Sequence, residues 1–361
     1  MIIRMEALDT LFFRDGKPFS MGDESWVSDM FPPNPPVFYG ALRSAYFARN
    51  PGELSKANQP GDPTSGLQIK GLYLQVEDQV CLPLPLDCVG PKGDRDKKAF
   101  PLKPAKGPAV SSHPAPLLLE SPVTGDVEVV EGGLLDYSSM NEYLNLVRSE
   151  FFYKKLSDYV LLEPKIGIRR DSHTRTAADH MLYRVAMRRL ESEVKGGSDN
   201  EKVFLLVDFS GLDLPGEGFL KLGGEGKAVY YTTEEEEIKF DRPELTGNRF
   251  KLYLATPAMF EQGWLPGWLD EETLTGEYRG VKLRLLTAAI GKYINIGGFD
   301  MQEKKPKYMR RAVPAGSVYY FEITGGEDVN EVTHIFHQSN LSDFDSRQSY
   351  GLVLAGGVLD D

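Results

Sequence analysis

With 361 residues, 41% of them apolar and 26% charged, the chain has the composition of a soluble globular protein and is long enough for two domains. Its formal net charge of -12 excludes a free, non-specific DNA binder, which needs a broadly positive footprint, but leaves room for one localised basic groove. Only two cysteines, Cys81 and Cys88, neither in a CxxC pair, exclude a disulfide framework and a cysteine-rich zinc site, so both are expected to be reduced packing residues.

Residues 2–14, IIRMEALDTLFFR, have the pattern of a strand that runs into a turn at Asp15 and Gly16. FPPNPP at 31–36 is a rigid stop. After it, Phe38, Ala41, Leu42, Ala45 and Tyr46 recur at helical spacing, with Asn34 placed to cap and proline in the first turn. Segments 71–87 and 117–133 are strand-like. Between them GPKGDRDKKAFPLKPAKGPAVSS holds six cations against two acids and has the pattern of a long basic tongue. Ser139 and Glu142 form a capping-box pattern for a helix over Tyr143, Leu144 and Val147.

The stretch 163–176, EPKIGIRRDSHTRT, mixes Pro164, Gly167 and hydroxyls with cations and is expected to be an irregular loop. Residues 181–191 fit a helix and a strand nearly equally, with a hairpin narrowly preferred, and KVFLLVDFS at 202–210 is a strand. A second unit opens near Asn248. Its strands are RFKLYLATPAMF, VKLRLLTAAIG, SVYYFEIT at 317–324 and YGLVLAGGVL, with a helix expected at 328–338. Strands with few helices in two successive units predict an α+β fold: two ferredoxin-like βαββαβ domains, 1–240 and 241–361, the first carrying long loop and hairpin insertions.

Four clusters carry positive charge against the global sign. Lys165, Arg169, Arg170 and Arg175 surround one acid, Asp171. Guanidinium forks and backbone donors at that density suit phosphates, although a basic loop paired with acids of its own surface has the same composition. LGGEGKAV at 222–229 sets Gly223, Gly224 and Gly226 before Lys227. Backbone amides can approach an anion closely there. It is neither a Walker A loop, since Lys221 stands where a glycine is needed and Ala228 where the metal-binding hydroxyl is needed, nor a dinucleotide fingerprint. KKPKYMRR gathers Lys304, Lys305, Lys307, Arg310 and Arg311 around Tyr308, a ring that can stack on a base. With the tongue at 92–106, these form a set that predicts a polyanion-binding surface.

Catalytic signals are weaker. His334 and His337 lie three apart without a completing carboxylate, so no metal site is expected. His173 and His180 flank the basic segment and are the candidates for acid and base on an RNA 2′-hydroxyl. Trp264 and Trp268 are expected to anchor a loop. No apolar run approaches the roughly 18 to 20 residues of a membrane span, and acids stand near the start of the chain, so a cytoplasmic protein without a cofactor is expected.

Four passages, LDTLFFRDGKPF, PNPPVFYGALRSA, EPKIGIRRDSHTRTA and LGGEGKAV, resemble the RAMP proteins of CRISPR effector complexes, specifically the third subunit of the Cmr (type III-B) complex. The tail YGLVLAGG is similar to the glycine-rich end of such folds, with SYG departing from a full GxG. The resemblance implies two RRM-like domains that cap the 5′ tag of the guide RNA (crRNA). It also implies docking on the large polymerase/cyclase-type subunit, beside the other RAMP subunits. In that role Lys165, Arg169, Arg170 and Arg175 line the tag groove, Gly223, Gly224, Gly226 and Lys227 cradle the backbone, and 92–106 acts as a hairpin thumb. The subunit binds and does not cut. The alternative is a metal-independent endoribonuclease of the same superfamily, using His173 or His180.

Overall fold

The computed structural model describes residues 1–14, 26–27, 29–107, 114–170, 173–192, 201–300 and 305–358. The turn expected at Asp15 and Gly16, and Lys304 of the third basic cluster, lie outside them. Backbone packing divides the chain into two compact units. One comprises Met1–Ile69, Ser157–Glu236 and Asn295–Arg310; the other comprises Lys70–Leu156, Glu237–Ile294 and Arg311–Asp361.

In chain order the strands needed below are β1 (Ile2–Ala7), β2 (Gln68–Val76), β3 (Gln79–Pro83), β4 (Gly133–Asp136), β5 (Leu161–Arg170), β6 (Ala177–Arg189), β7 (Phe204–Ser210), β8 (Glu217–Lys221), β9 (Ala228–Glu234), β10 (Arg249–Leu254), β11 (Val281–Ala289), β12 (Val318–Ile323) and β13 (Leu352–Gly356). The helices are α1 (Pro35–Arg49), α2 (Tyr137–Leu144) and α3 (Val329–Phe336).

In the first unit β1 lies between β7 and β9, antiparallel to both, and β8 pairs with the far edge of β9. The strand expected over 2–14 ends at Ala7; beyond it only isolated bridges at Leu11 and Arg14 continue the pairing. Alternation along β1 sends Ile3 and Met5 into the core with Leu205, Val207 and Tyr231. Helix α1 buries Phe38, Ala41 and Leu42 of the predicted face; Ala45 and Tyr46 are only half-buried, and Phe47 is buried in addition. Asn34 is its N-cap residue, but its side chain makes no capping bond and donates to Met30 Sδ.

The stretch expected to be an irregular loop is half of a long ribbon. β5 pairs with β6 from Leu161 opposite Arg189 to Ile168 opposite Leu182, and after a bulge Arg170 lies opposite Ala177. Cross-strand pairing satisfies the backbone at Gly167, and Pro164 sits in an exposed ribbon of only two main strands, where its missing N–H costs little.

In the second unit β10 is central, flanked by β12 and β13, with β11 outside β12. Phe250, Leu252, Leu254, Phe321 and Val353 meet Val329, Val332 and Phe336 of α3 in one core. Asp328 caps α3 by accepting from the Asn330 and Glu331 amides. No helix joins β10 to β11; residues 255–274 form an irregular loop, and Trp268 stacks on Phe321 with ring centroids 5.7 Å apart. A large ring holds that loop to the core in place of a hydrogen-bonded element.

Strands β2 and β3 form a hairpin through Glu77 and Asp78, both at positive φ, and β4 pairs with β3. Asp136, at the end of β4, caps α2 by accepting from the Ser139 amide at 3.0 Å and its hydroxyl at 2.9 Å. The expected cap Ser139 is therefore inside the helix, and Val147 lies exposed beyond its end. The described part of the basic tongue is not a free projection. Lys98–Pro101 is paired between Cys88–Pro91 and Phe151–Phe152, and Lys103–Ala105 pairs with Leu118–Glu120. Among the described residues no helix is long and apolar enough to cross a membrane. Cys81 and Cys88 are free and buried; burial pushes the Cys81 thiol up to about 12 and raises that of Cys88 as well, which keeps both protonated and inert.

Candidate nucleic-acid interface

Three separated passages meet in the first unit: residues 9–13, the β5–β6 ribbon and the glycine loop at 222–227. Leu11 and Arg188 exchange both backbone hydrogen bonds, at 2.8 and 2.7 Å. This fixes the N-terminal passage along the ribbon. Phe12 then buries its ring against Val185 and Met187. The Gly224 amide donates to the Phe12 carbonyl at 2.8 Å, Lys227 pairs with Asp9, and Lys165 Nζ lies 2.9 Å from Glu225 Oε2.

The local sequence explains this assembly. Gly223, Glu225 and Gly226 all have positive φ, so the loop turns sharply. A Cβ at Gly223 would lie 2.4 Å from the Phe12 carbonyl oxygen, and one at Gly224 2.9 Å from the Phe12 ring. The first two glycines are therefore needed for the close approach to Phe12. One expected role changes accordingly: the Gly224 amide already has a backbone partner.

The ribbon has two unlike faces. Alternation places Glu163, Lys165 and Gly167 on the side of Val185 and Met187, which cover Phe12, and Leu162, Pro164, Ile166 and Ile168 on the other. Leu162, Ile166 and Ile168 are each more than half exposed. Arg188 makes a two-pronged contact with Asp29, and Arg189 donates to Glu163. Lys227 holds the Asp9 carboxyl below its ordinary range, chiefly through their hydrogen bond.

Of the expected site residues, Lys165 and Lys227 come together with the glycine loop, each paired with a carboxylate. Arg169 and Arg170 continue β5 toward the ribbon tip; their side chains lie outside the described residues. Arg175 is exposed at positive φ near that tip, and His173 is exposed there as well. Lys305 and Arg310 are exposed within the first unit, where Tyr308 is 92% exposed. Arg311 belongs to the second unit, its guanidinium 4.6 Å above the Tyr293 ring. Asp9, Phe12 and Glu225, which shape the site, carry no sequence signal of that role beyond their proximity to the motifs.

The sequence pattern of the family described as "CRISPR-associated protein (Cas_Cmr3)" matches residues 3–356. The chain belongs to this family. The match runs through all three passages that converge on the ribbon. No curated protein matches the chain. Among the solved structures that share the fold are two of one kind of assembly. One is titled "Cryo-EM structure of the Type III-B Cmr-beta bound to cognate target RNA", with a TM-score of 0.52 and 17% identity over 89% of this chain and 86% of that one. The other is the same assembly with target RNA and AMPPnP, state 1, with a TM-score of 0.53 and 16% identity over 93% and 88% of the two chains.

For a Cas_Cmr3 protein the chemistry on display is electrostatic. Among the described residues no group of three or more His, Cys, Asp or Glu is placed to hold a metal. His337, one of the two spaced histidines, accepts from the Ala355 amide at Nδ1 and meets the Phe240 carbonyl at Nε2, 3.0 Å away. Both ring nitrogens are thus committed to the fold.

Proposed function

We propose that the chain is a non-catalytic guide-RNA-binding subunit of a type III-B CRISPR (Cmr) RNA-targeting complex. It is the third subunit, a RAMP protein, and it caps the 5′ tag of the crRNA while docking on the large polymerase/cyclase-type subunit beside other RAMP subunits. The observation that carries this reading is the convergence of the N-terminal passage, the basic ribbon and the glycine loop in one place, in a chain of the Cas_Cmr3 family. Both structural relatives belong to Type III-B Cmr-beta assemblies bound to target RNA.

In this reading Lys165, Arg169, Arg170 and Arg175 neutralise tag phosphates, and the strongest contacts are the two-pronged ones of arginine. The Lys165–Glu225 and Lys227–Asp9 pairs involve exposed partners, and such pairs are worth about 0–1 kcal/mol. Phosphate can replace them. With the Gly224 amide engaged, the backbone contribution falls to Gly223 and Gly226. Lys304, Lys305, Arg310 and Arg311 extend the footprint, and Tyr308 stacks on a base. The role requires no cofactor, and the protein works in the cytoplasm, where its RNA is.

The same reading assigns two ferredoxin-like domains, within 1–240 and 241–361. The order β13-β10-β12-β11 is the 4-1-3-2 order of a βαββαβ sheet, with α3 as its second helix and the loop 255–274 in place of the first. In the first domain β1 leads into α1 and is flanked by β7 and β9, the 3-1-4 part of the same order.

The test is cross-linking mass spectrometry on the particle purified from its host. The 5′ tag nucleotides are expected to cross-link to residues 161–189; tag cross-links confined to other subunits would overturn the assignment.

A further inference from the structure

The second unit holds a buried charge cluster that RNA binding does not use. Asp87 is fully buried. Its Oδ2 accepts from the Tyr143 hydroxyl at 2.7 Å and from the Tyr320 hydroxyl, and its Oδ1 accepts from the Cys88 thiol at 3.7 Å. Both carboxylate oxygens are occupied.

Lys251, on the central strand β10, is 2% exposed, and its ammonium lies 3.4 Å from the centroid of the Tyr143 ring. No hydrogen bond or ion pair joins that ammonium to the described residues. One side is covered by the ring, and Lys251 also lines a cavity of about 210 Å³. Gly356, opposite Lys251 in the sheet, leaves room for the stem: a Cβ there would lie 3.0 Å from Lys251 Cε. Burial lowers the Lys251 pKa, and Asp87 partly offsets it, as expected of a cation short of hydrogen-bond acceptors.

The cavity sets the class of acceptor. Its walls include Pro101, Leu102, Val147 and Val358, and its volume is below the roughly 300 Å³ at which sites for larger ligands begin. Arg148 also lines it, but its side chain is 60% exposed and paired with Glu142 at 3.2 Å, so it stands at the solvent side and offers no buried fork beside Lys251. One buried ammonium in a small cup with an apolar wall and a polar side at Ser149, Tyr143 and Tyr320 suits a single negative charge with a short tail. A phosphate depends on several donors or an arginine fork. We infer that this cavity binds a small monocarboxylate, its charged end on Lys251 and its alkyl end against Leu102 and Val358.

The experiment is isothermal titration of the full-length protein with sodium propionate, against sodium chloride at matched ionic strength. Saturable one-to-one binding is expected, weakened at least about tenfold in Lys251→Met, the loss typical of removing one partner of a buried charged contact. Should Lys251→Met fail to fold, Val147→Trp decides instead. It substitutes an exposed rim position, leaves the Asp87 cluster intact and fills the mouth. No saturable binding by the wild type, or unchanged affinity in the folded variant, overturns the assignment.

Discussion

Lys165 of the ribbon and Glu225 of the glycine loop are joined by an ion pair of 2.9 Å across 60 residues of sequence. The pair ties two of the family's passages together, and it also occupies a cation assigned to phosphate. Both side chains are a third or more exposed, so solvent screens the pair. Glu225→Gln is expected to remove this one pairing of Lys165 and the negative charge beside it. Tag-RNA affinity of the assembled complex should rise about two- to fivefold and the salt slope should steepen by about one unit, read by fluorescence anisotropy across a salt series. Weaker binding by Glu225→Gln would mean that the carboxylate positions Lys165 for the RNA.

The glycines of the loop should differ in cost. At Gly223 an added Cβ meets the Phe12 carbonyl at 2.4 Å with φ at +79°, whereas at Gly226 it meets nothing within 4 Å at φ +67°. Gly226→Ala therefore carries only backbone strain, about 1 kcal/mol, and Gly223→Ala adds a backbone clash, for about 3 kcal/mol or more. Urea denaturation of the two variants measures the difference; equal losses would show that Phe12 shifts freely.

His337 links stability to pH. Burial lowers its pKa, with nearby Arg242 adding to the effect, while the Phe240 carbonyl and Asp241 oppose it. Protonation would put a proton on Nδ1, which now accepts from Ala355. The unfolded chain takes up the proton first, so the contribution is complete above about pH 6.5 and is lost as the pH falls through the lower folded value. Thermal melts between about pH 7.5 and 5.5 should show a drop in Tm that His337→Gln reduces. An identical drop in the variant would assign the titration elsewhere.

Much of the fold was legible from periodicity. Apolar spacing marked α1, α3 and the strands around β10, where burial on both faces leaves continuous runs such as SVYYFEIT. The ribbon was not legible, because Pro164 and Gly167 punctuate β5 and its apolar face, Leu162, Ile166 and Ile168, is turned to solvent. Composition there resembles a loop, and only pairing with β6 makes it a strand. At α2 two capping patterns overlap, and Asp136 wins because β4 ends there. In the site, the cations were visible and their pairing was not, since Asp9 lies 218 residues from its partner Lys227 and Glu225 lies 60 from its partner Lys165.

The central claim is that the ribbon's arginines hold the sugar-phosphate chain of the crRNA tag. The most direct measurement is the salt dependence of tag-RNA binding by the reconstituted complex, with wild-type chain and with Arg169→Ala combined with Arg170→Ala. Loss of affinity with a slope shallower by about one to two units is the expected result. An unchanged slope and affinity would contradict the account.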